Sequence, residues 1–185
     1  MTWSRTPWAA WNGLGFGLVA GGVFALAQCA ASLLGGQGVL EPVRYAASVL
    51  LGARALTEGP LGLIIAAGLA VHLGLSALFG LAYSLLDARL APELRPKVVH
   101  QTAVGMLFAL GVWLVTFQFV ARGYYPWFRE QTPQFFQLLM HALFFGAPLG
   151  WLFAVAERRR AAIAAFEHEA EEQSAPRSAR GGTPD

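Results

Sequence analysis

The chain has 185 residues, 56% of them hydrophobic and only 13% charged, where a soluble domain carries about 25% charge; an ordinary water-soluble globule is excluded. The net charge of +2, with no basic stripe interleaved with aromatics, gives no reason to expect nucleic acid as a partner. The single cysteine, Cys29, rules out an intramolecular disulfide or a CxxC redox pair.

The few charges sit in islands: Arg5, Glu41 to Glu58, Asp87 to Lys97, Arg122 to Glu130, and the chain after Ala156. Each of the four stretches between them reaches the roughly 20 apolar residues needed to cross a bilayer. The pattern predicts an all-α polytopic membrane protein, a four-transmembrane-helix bundle. Its spans lie near residues 11–34, 61–86, 99–121 and 135–156, within a transmembrane domain of residues 1–160.

The first apolar run is too long for a signal peptide and reads as a retained span. Trp3, Trp8 and Trp11 stand at its start as interfacial anchors. Gly13, Gly17, Gly21, Ala25 and Cys29 follow at four-residue intervals. "LAQC", Leu26 to Cys29, resembles a lipoprotein cleavage box, but Gln28 stands where a small residue is wanted. Cys29 therefore reads as a small packing thiol.

The first connection carries Glu41 and Pro42, a helix start. Val43, Ala47, Leu50 and Leu51 then share one face, with Arg44 and Ser48 on another, and Arg54 and Glu58 are spaced to pair. This predicts a short amphipathic helix on the outer surface between spans one and two; the alternative is a re-entrant segment packed between spans.

Span two carries a second stripe, Gly68, His72, Ser76, Gly80 and Ser84. Small residues permit the close backbone approach that holds helices together in lipid. His72 lies on that stripe and so faces other helices. Gln28, Gln118, Tyr83, Ser76 and Ser84 are the groups that could answer it. "DARLAPELRPKVV" makes a stiff turn into span three, where His100 beside Lys97 reads as solvated.

The third connection holds Tyr124, Tyr125, Trp127 and Phe128, an aromatic belt. In span four Gln134, Gln137 and His141 share a face, and Ala142, Gly146, Gly150 and Ala154 form a third small stripe. Residues 161–172 extend this helix into the cytoplasm. His168 lies in "EHEAEE", which reads as a solvated acidic face, and residues 173–185 should be disordered. No metal site is expected.

A faint internal repeat runs through the chain. Spans one and three carry Gln28 and Gln118 toward their outer ends. Spans two and four pair His72 with Phe79-Gly80 and His141 with Phe145-Gly146. Two-span halves would be related by an axis along the membrane normal.

Basic residues set orientation through the positive-inside rule. Arg5, Arg89, Arg95, Lys97, Arg158, Arg159 and Arg160 share the side of both termini, against Arg44, Arg54, Arg122 and Arg129 opposite. Both ends are therefore expected in the cytoplasm.

Four functional classes remain open. The first is a non-catalytic helix-packing scaffold or complex subunit, acting through the bilayer with a homo-oligomer or membrane-protein partner. The second is a small-solute or lipid transporter or channel lined by Gln28, His72, Ser76, Gln118, Gln137 and His141; with no charge inside a span, proton-coupled cation export is disfavoured. The third is a redox protein in which His72 and His141 hold haem b. Counted at about 1.5 Å per residue, they lie about 18 and 12 Å from the outer boundary. The fourth is a serine hydrolase built on "GLSA" around Ser76 with His141 as base. The first class fits best, with no catalytic residue and no cofactor.

"GLVAGGVFALAQ", "PVRYAASVLLGARAL" and "AGLAVHLGLSALFGLAYSLL" resemble a group of small bacterial four-span inner-membrane proteins of unknown function. The chain is also similar to the YagU-like proteins, in which an "H…FG" membrane helix follows a glycine-rich first span. The resemblance covers the first half best. It implies a bacterial inner-membrane location and brings no catalytic residues.

Overall fold

The computed structural model describes residues 6–130 and 132–174. Trp3, Arg5, the side chain of Trp8 and residues 175–185 of the expected tail lie outside them. Among the described residues there is no strand. Four helices are long and apolar enough to cross a membrane: Ala10–Leu34, Leu61–Asp87, Val98–Tyr124 and Gln134–Glu171.

Helix α1 covers Thr6–Leu34 and α3 covers Leu61–Asp87. Between them α2, Glu41–Leu51, starts with Pro42 in its first turn, where the missing N–H is no loss. It stops at Gly52, whose φ of 79° is a conformation that only glycine adopts without cost. Helix α4 begins as Val98–Trp113, loosens into a π-helical stretch at Leu114–Val120 and ends at Ala121–Tyr124. A short α5, Pro126–Glu130, follows. Helix α6 begins at Gln134, passes through a π-helical stretch at His141–Gly146 and continues as Ala147–Ser174.

Neither π stretch was foreseen, but the one in α6 has a cause in the sequence. Pro148 has no N–H for the carbonyl one turn earlier and crowds it, so the turn before it widens. In α4 the Thr116 hydroxyl bonds back to the Val112 carbonyl at 2.7 Å, a competitor to the regular ladder.

The bundle consists of two hairpins, α1 with α3 and α4 with α6. Each is closed by backbone lying on backbone. A methyl group added to Gly17 would strike Ser76 and Gly80; one added to Gly105 would strike Gly146 and Gly150. Gly13 meets Gly80 and Ser84, and Gly21 meets Ser76. These contacts set corresponding positions of the two hairpins side by side. Gly146 stands where Ser76 stands, and Gly150 where Gly80 stands. By these contacts Phe79-Gly80 and Phe145-Gly146 lie one turn apart.

The hairpins meet through aromatic side chains. Ala20, Tyr83, Ala109, Phe145, Leu149 and Phe153 form the buried core, with Phe16, Phe79 and Phe108 against it. Phe16 meets Phe153 edge-on at 5.2 Å between ring centres, and Tyr83 meets Phe153 at 4.9 Å. The seam between α1 and α6 is broad, whereas α3 and α4 touch at few positions.

Helix α2 is the expected short helix between spans one and two, with one side laid against the bundle. It presses on α3 where Val43 meets Gly68, and Ala47 packs with Ala55, Ile64 and Ala67. Ser48, expected on the polar face, is fully buried, while Leu50 is exposed. The reason is Trp127, whose Nε1–H donates to Ser48 Oγ at 2.9 Å; Tyr45 also packs on Phe128 at 5.5 Å. Arg54 and Glu58 do not form an ion pair, whereas Arg160 and Glu157 do. Arg44 donates instead to the Ala55 carbonyl at 3.1 Å.

Helix α6 continues past the bundle as expected, and Gln173 and Ser174 still belong to it. From Ala161 to Glu171 every residue is exposed.

Candidate functional site

Polar side chains gather at both ends of the bundle. At the α2 end, Gln28 Nε2 donates to Gln137 Oε1 at 2.6 Å, joining α1 to α6. Gln118 Nε2 donates to Gln134 Oε1 at 3.2 Å, joining α4 to α6. Gln134 in turn donates to the Phe128 and Thr132 carbonyls. The shared face of Gln134, Gln137 and His141 thus serves both neighbouring helices.

His72 Nε2 lies 2.9 Å from the Gly21 carbonyl. A carbonyl can only accept, so this nitrogen carries the proton. The groups expected to answer His72 do not do so; a glycine backbone does, because the small stripe brings α1 close enough. Ser76 instead donates to the His72 carbonyl at 2.7 Å. That hydroxyl is engaged with its own helix and pressed against Gly21, so it is not presented to His141 as a nucleophile would be.

His141 Nδ1 donates to the Gln137 carbonyl at 2.7 Å. Phe24 packs on both imidazoles, 6.1 Å from His72 and 4.8 Å from His141 between ring centres. Phe117 closes on His141 from α4 at 5.4 Å. The two histidines therefore come to nearly one level. His72 stands four residues before Ser76; His141 stands five before Gly146, across the wider π turn.

That proximity does not make a haem site. Two axial imidazoles must present lone pairs to one iron across a flat macrocycle. Here His72 Nε2 is committed to Gly21 and the Phe24 ring lies against both histidines. The pair does not fit haem b, and no redox step is drawn through it. Among the described residues no three His, Cys, Asp or Glu side chains converge as metal ligands.

The opposite end holds a cluster that sequence reasoning missed. Tyr83 Oη donates to Gln101 Oε1 at 2.9 Å, and Gln101 Nε2 donates to Asp87 Oδ1. Tyr83 and Gln101 are fully buried and Asp87 is 5% exposed. Asp87 looks like the first residue of a charged loop, but it is the last residue of α3. A signal was present: Tyr83 and Asp87 are four apart and share a helix face. Buried Arg95 caps this end, donating to the Ala88 carbonyl at 2.7 Å and the Leu90 carbonyl at 2.9 Å. Arg158 Nε donates to the Pro96 carbonyl at 2.8 Å. His100 is only partly solvated: the residue is half-buried, and its Nδ1 is buried with no partner among the described residues.

Two open concavities lie outside the bundle. One runs along Glu157, Arg160, Ile163 and Glu167, and the other lies between Arg122 and Arg129. Comparison with known proteins finds no matching family model, no matching curated protein and no matching solved structure.

Proposed function

We propose that the chain is a non-catalytic membrane module, a scaffold or complex subunit that acts through helix packing. One observation carries this reading: Gln28, Gln118, His72 and Gln101 are spent on bonds from helix to helix, while Ser76 and His141 bond to carbonyls of their own helices. Gln28 holds Gln137, Gln118 holds Gln134, His72 holds the Gly21 carbonyl, and Tyr83, Gln101 and Asp87 hold one another. Such bonds are worth about 0.6 kcal/mol each in membrane proteins, and they fix the packing rather than present reactive groups.

The partner in this reading is a second copy or another membrane protein. The membrane is a bacterial inner membrane with both termini cytoplasmic, a placement supported by the excess of basic residues at that end and by the YagU-like resemblance. Crosslinking in intact cells, followed by native mass spectrometry of gently solubilised material, tests the proposal. It predicts a crosslinked partner or a defined oligomer; a monomer recovered without any crosslinked protein overturns it.

The transport reading gains one specific observation, Asp87. The buried carboxylate ends α3, so the premise that no charge enters a span does not hold. Solute uptake into vesicles separates the two readings.

A further inference from the structure

Asp87 is the one charged side chain of α3, and it is buried where α3 and α4 meet. Across that narrow seam Tyr83 packs on Phe108 at 5.3 Å, and Gln101 is hydrogen-bonded to both Tyr83 and Asp87. Among the described residues the carboxylate is in no ion pair: Arg160 holds Glu157, and the Arg95 guanidinium is bonded to loop carbonyls. The charged groups near enough to act on it are Arg95 in the connection and Glu157 on α6; Tyr83 faces it from its own helix.

We propose that Tyr83, Gln101 and Asp87 form a proton-binding site, and that uptake of a proton by the Asp87 carboxylate loosens the seam between α3 and α4. The proton comes from a hydronium ion in the water at the Arg95 end, which is left as a water molecule, and it forms an O–H bond on Asp87; no other covalent bond changes. An ionised carboxylate accepts a charge-assisted bond from the Gln101 amide, roughly twice as strong as a neutral one. Protonation reduces it to a neutral bond and adds a donor. Glu157 repels the ionised form, but Arg160 holds Glu157 and limits that effect. The inner contact between hairpins thus closes when Asp87 is charged and relaxes when it is neutral. The Gln28–Gln137 bond at the other end contains no ionisable group and is unaffected. The inference stands apart from the scaffold reading, since it concerns how the two hairpins meet within one chain.

The test uses the full chain in lipid nanodiscs. Infrared difference spectra on acidification should show a protonated carboxyl band that disappears in Asp87→Asn. Spin labels on Leu85→Cys and Val99→Cys, exposed positions on α3 and α4, in a Cys29→Ser background, should show a distance distribution that broadens over the same pH range. In Asp87→Asn it should not respond to pH. A carboxyl band that survives Asp87→Asn, or a distance indifferent to pH in the parent, overturns the proposal. If Asp87→Asn fails to fold, Gln101→Leu keeps the carboxylate and removes its donor. It must shift the pH at which the band appears, and an unchanged midpoint overturns the proposal equally.

Discussion

His72 shows how a polar residue is tolerated in an apolar helix. Its ring N–H reaches the Gly21 carbonyl because nothing larger than hydrogen separates the two helices there. His72→Leu removes that bond and forces a branched chain toward Gly21, whereas His100→Leu removes a ring whose buried nitrogen has no partner among the described residues. Thermal unfolding in detergent should show a clear loss for His72→Leu and little or none for His100→Leu; equal midpoints would refute this. Gln28 and Gln137 can be weighed by a double-mutant cycle with leucine at both positions. The coupling should be about 1 kcal/mol, within the range found for such bonds in membranes, and zero coupling would mean the bond does not form. His72, Gln28, Gln137 and His141 could be picked out from sequence because they interrupt apolar runs. The partners of the two histidines could not, since a backbone carbonyl carries no sequence signal. Asp87 was misread because the end of a charge-free run looks the same whether the next residue is buried or solvated.

At the level of the elements, glycine spacing was the most informative part of the sequence. It marked the faces that close α1 on α3 and α6 on α4, and missed only Gly105. It could not give register, which depends on the extra residue of the π turn before Pro148. Gly17→Leu and Gly105→Leu place a branched side chain where a neighbouring backbone lies. Overpacking of this kind costs about 1–3 kcal/mol, so each should unfold at a lower temperature than the parent. Gly74→Leu is the control, because open space surrounds that residue, and it should unfold close to the parent. A similar drop for all three would show that leucine, not contact, is responsible. Helix α2 makes a separate claim. Arg44 and Ser48 share its polar face, yet Ser48 is buried because Trp127 comes down onto it from the connection before α6. Trp127→Phe keeps the ring packing and removes the bond to Ser48. Hydrogen exchange should then quicken across residues 41–56 and stay unchanged in α3; unchanged exchange in both would mean α2 is held without that bond.

Taken whole, the molecule is two hairpins packed against each other. Within each hairpin backbone meets backbone; between them lie aromatic rings, the Gln28–Gln137 and Trp127–Ser48 bonds at the α2 end and one polar cluster at the Arg95 end. The number of helices and their approximate limits were legible because charge avoids hydrocarbon so strongly. How the hairpins meet was not, since phenylalanine and tyrosine can pack in many ways. The arrangement rests on hydrocarbon as the solvent for the exposed Leu, Val and Phe side chains of all four long helices. Extraction of membranes with alkaline carbonate, followed by ultracentrifugation, tests that directly. The full-length chain should stay wholly in the pellet and be released only by detergent; its appearance in the supernatant without detergent would contradict the account.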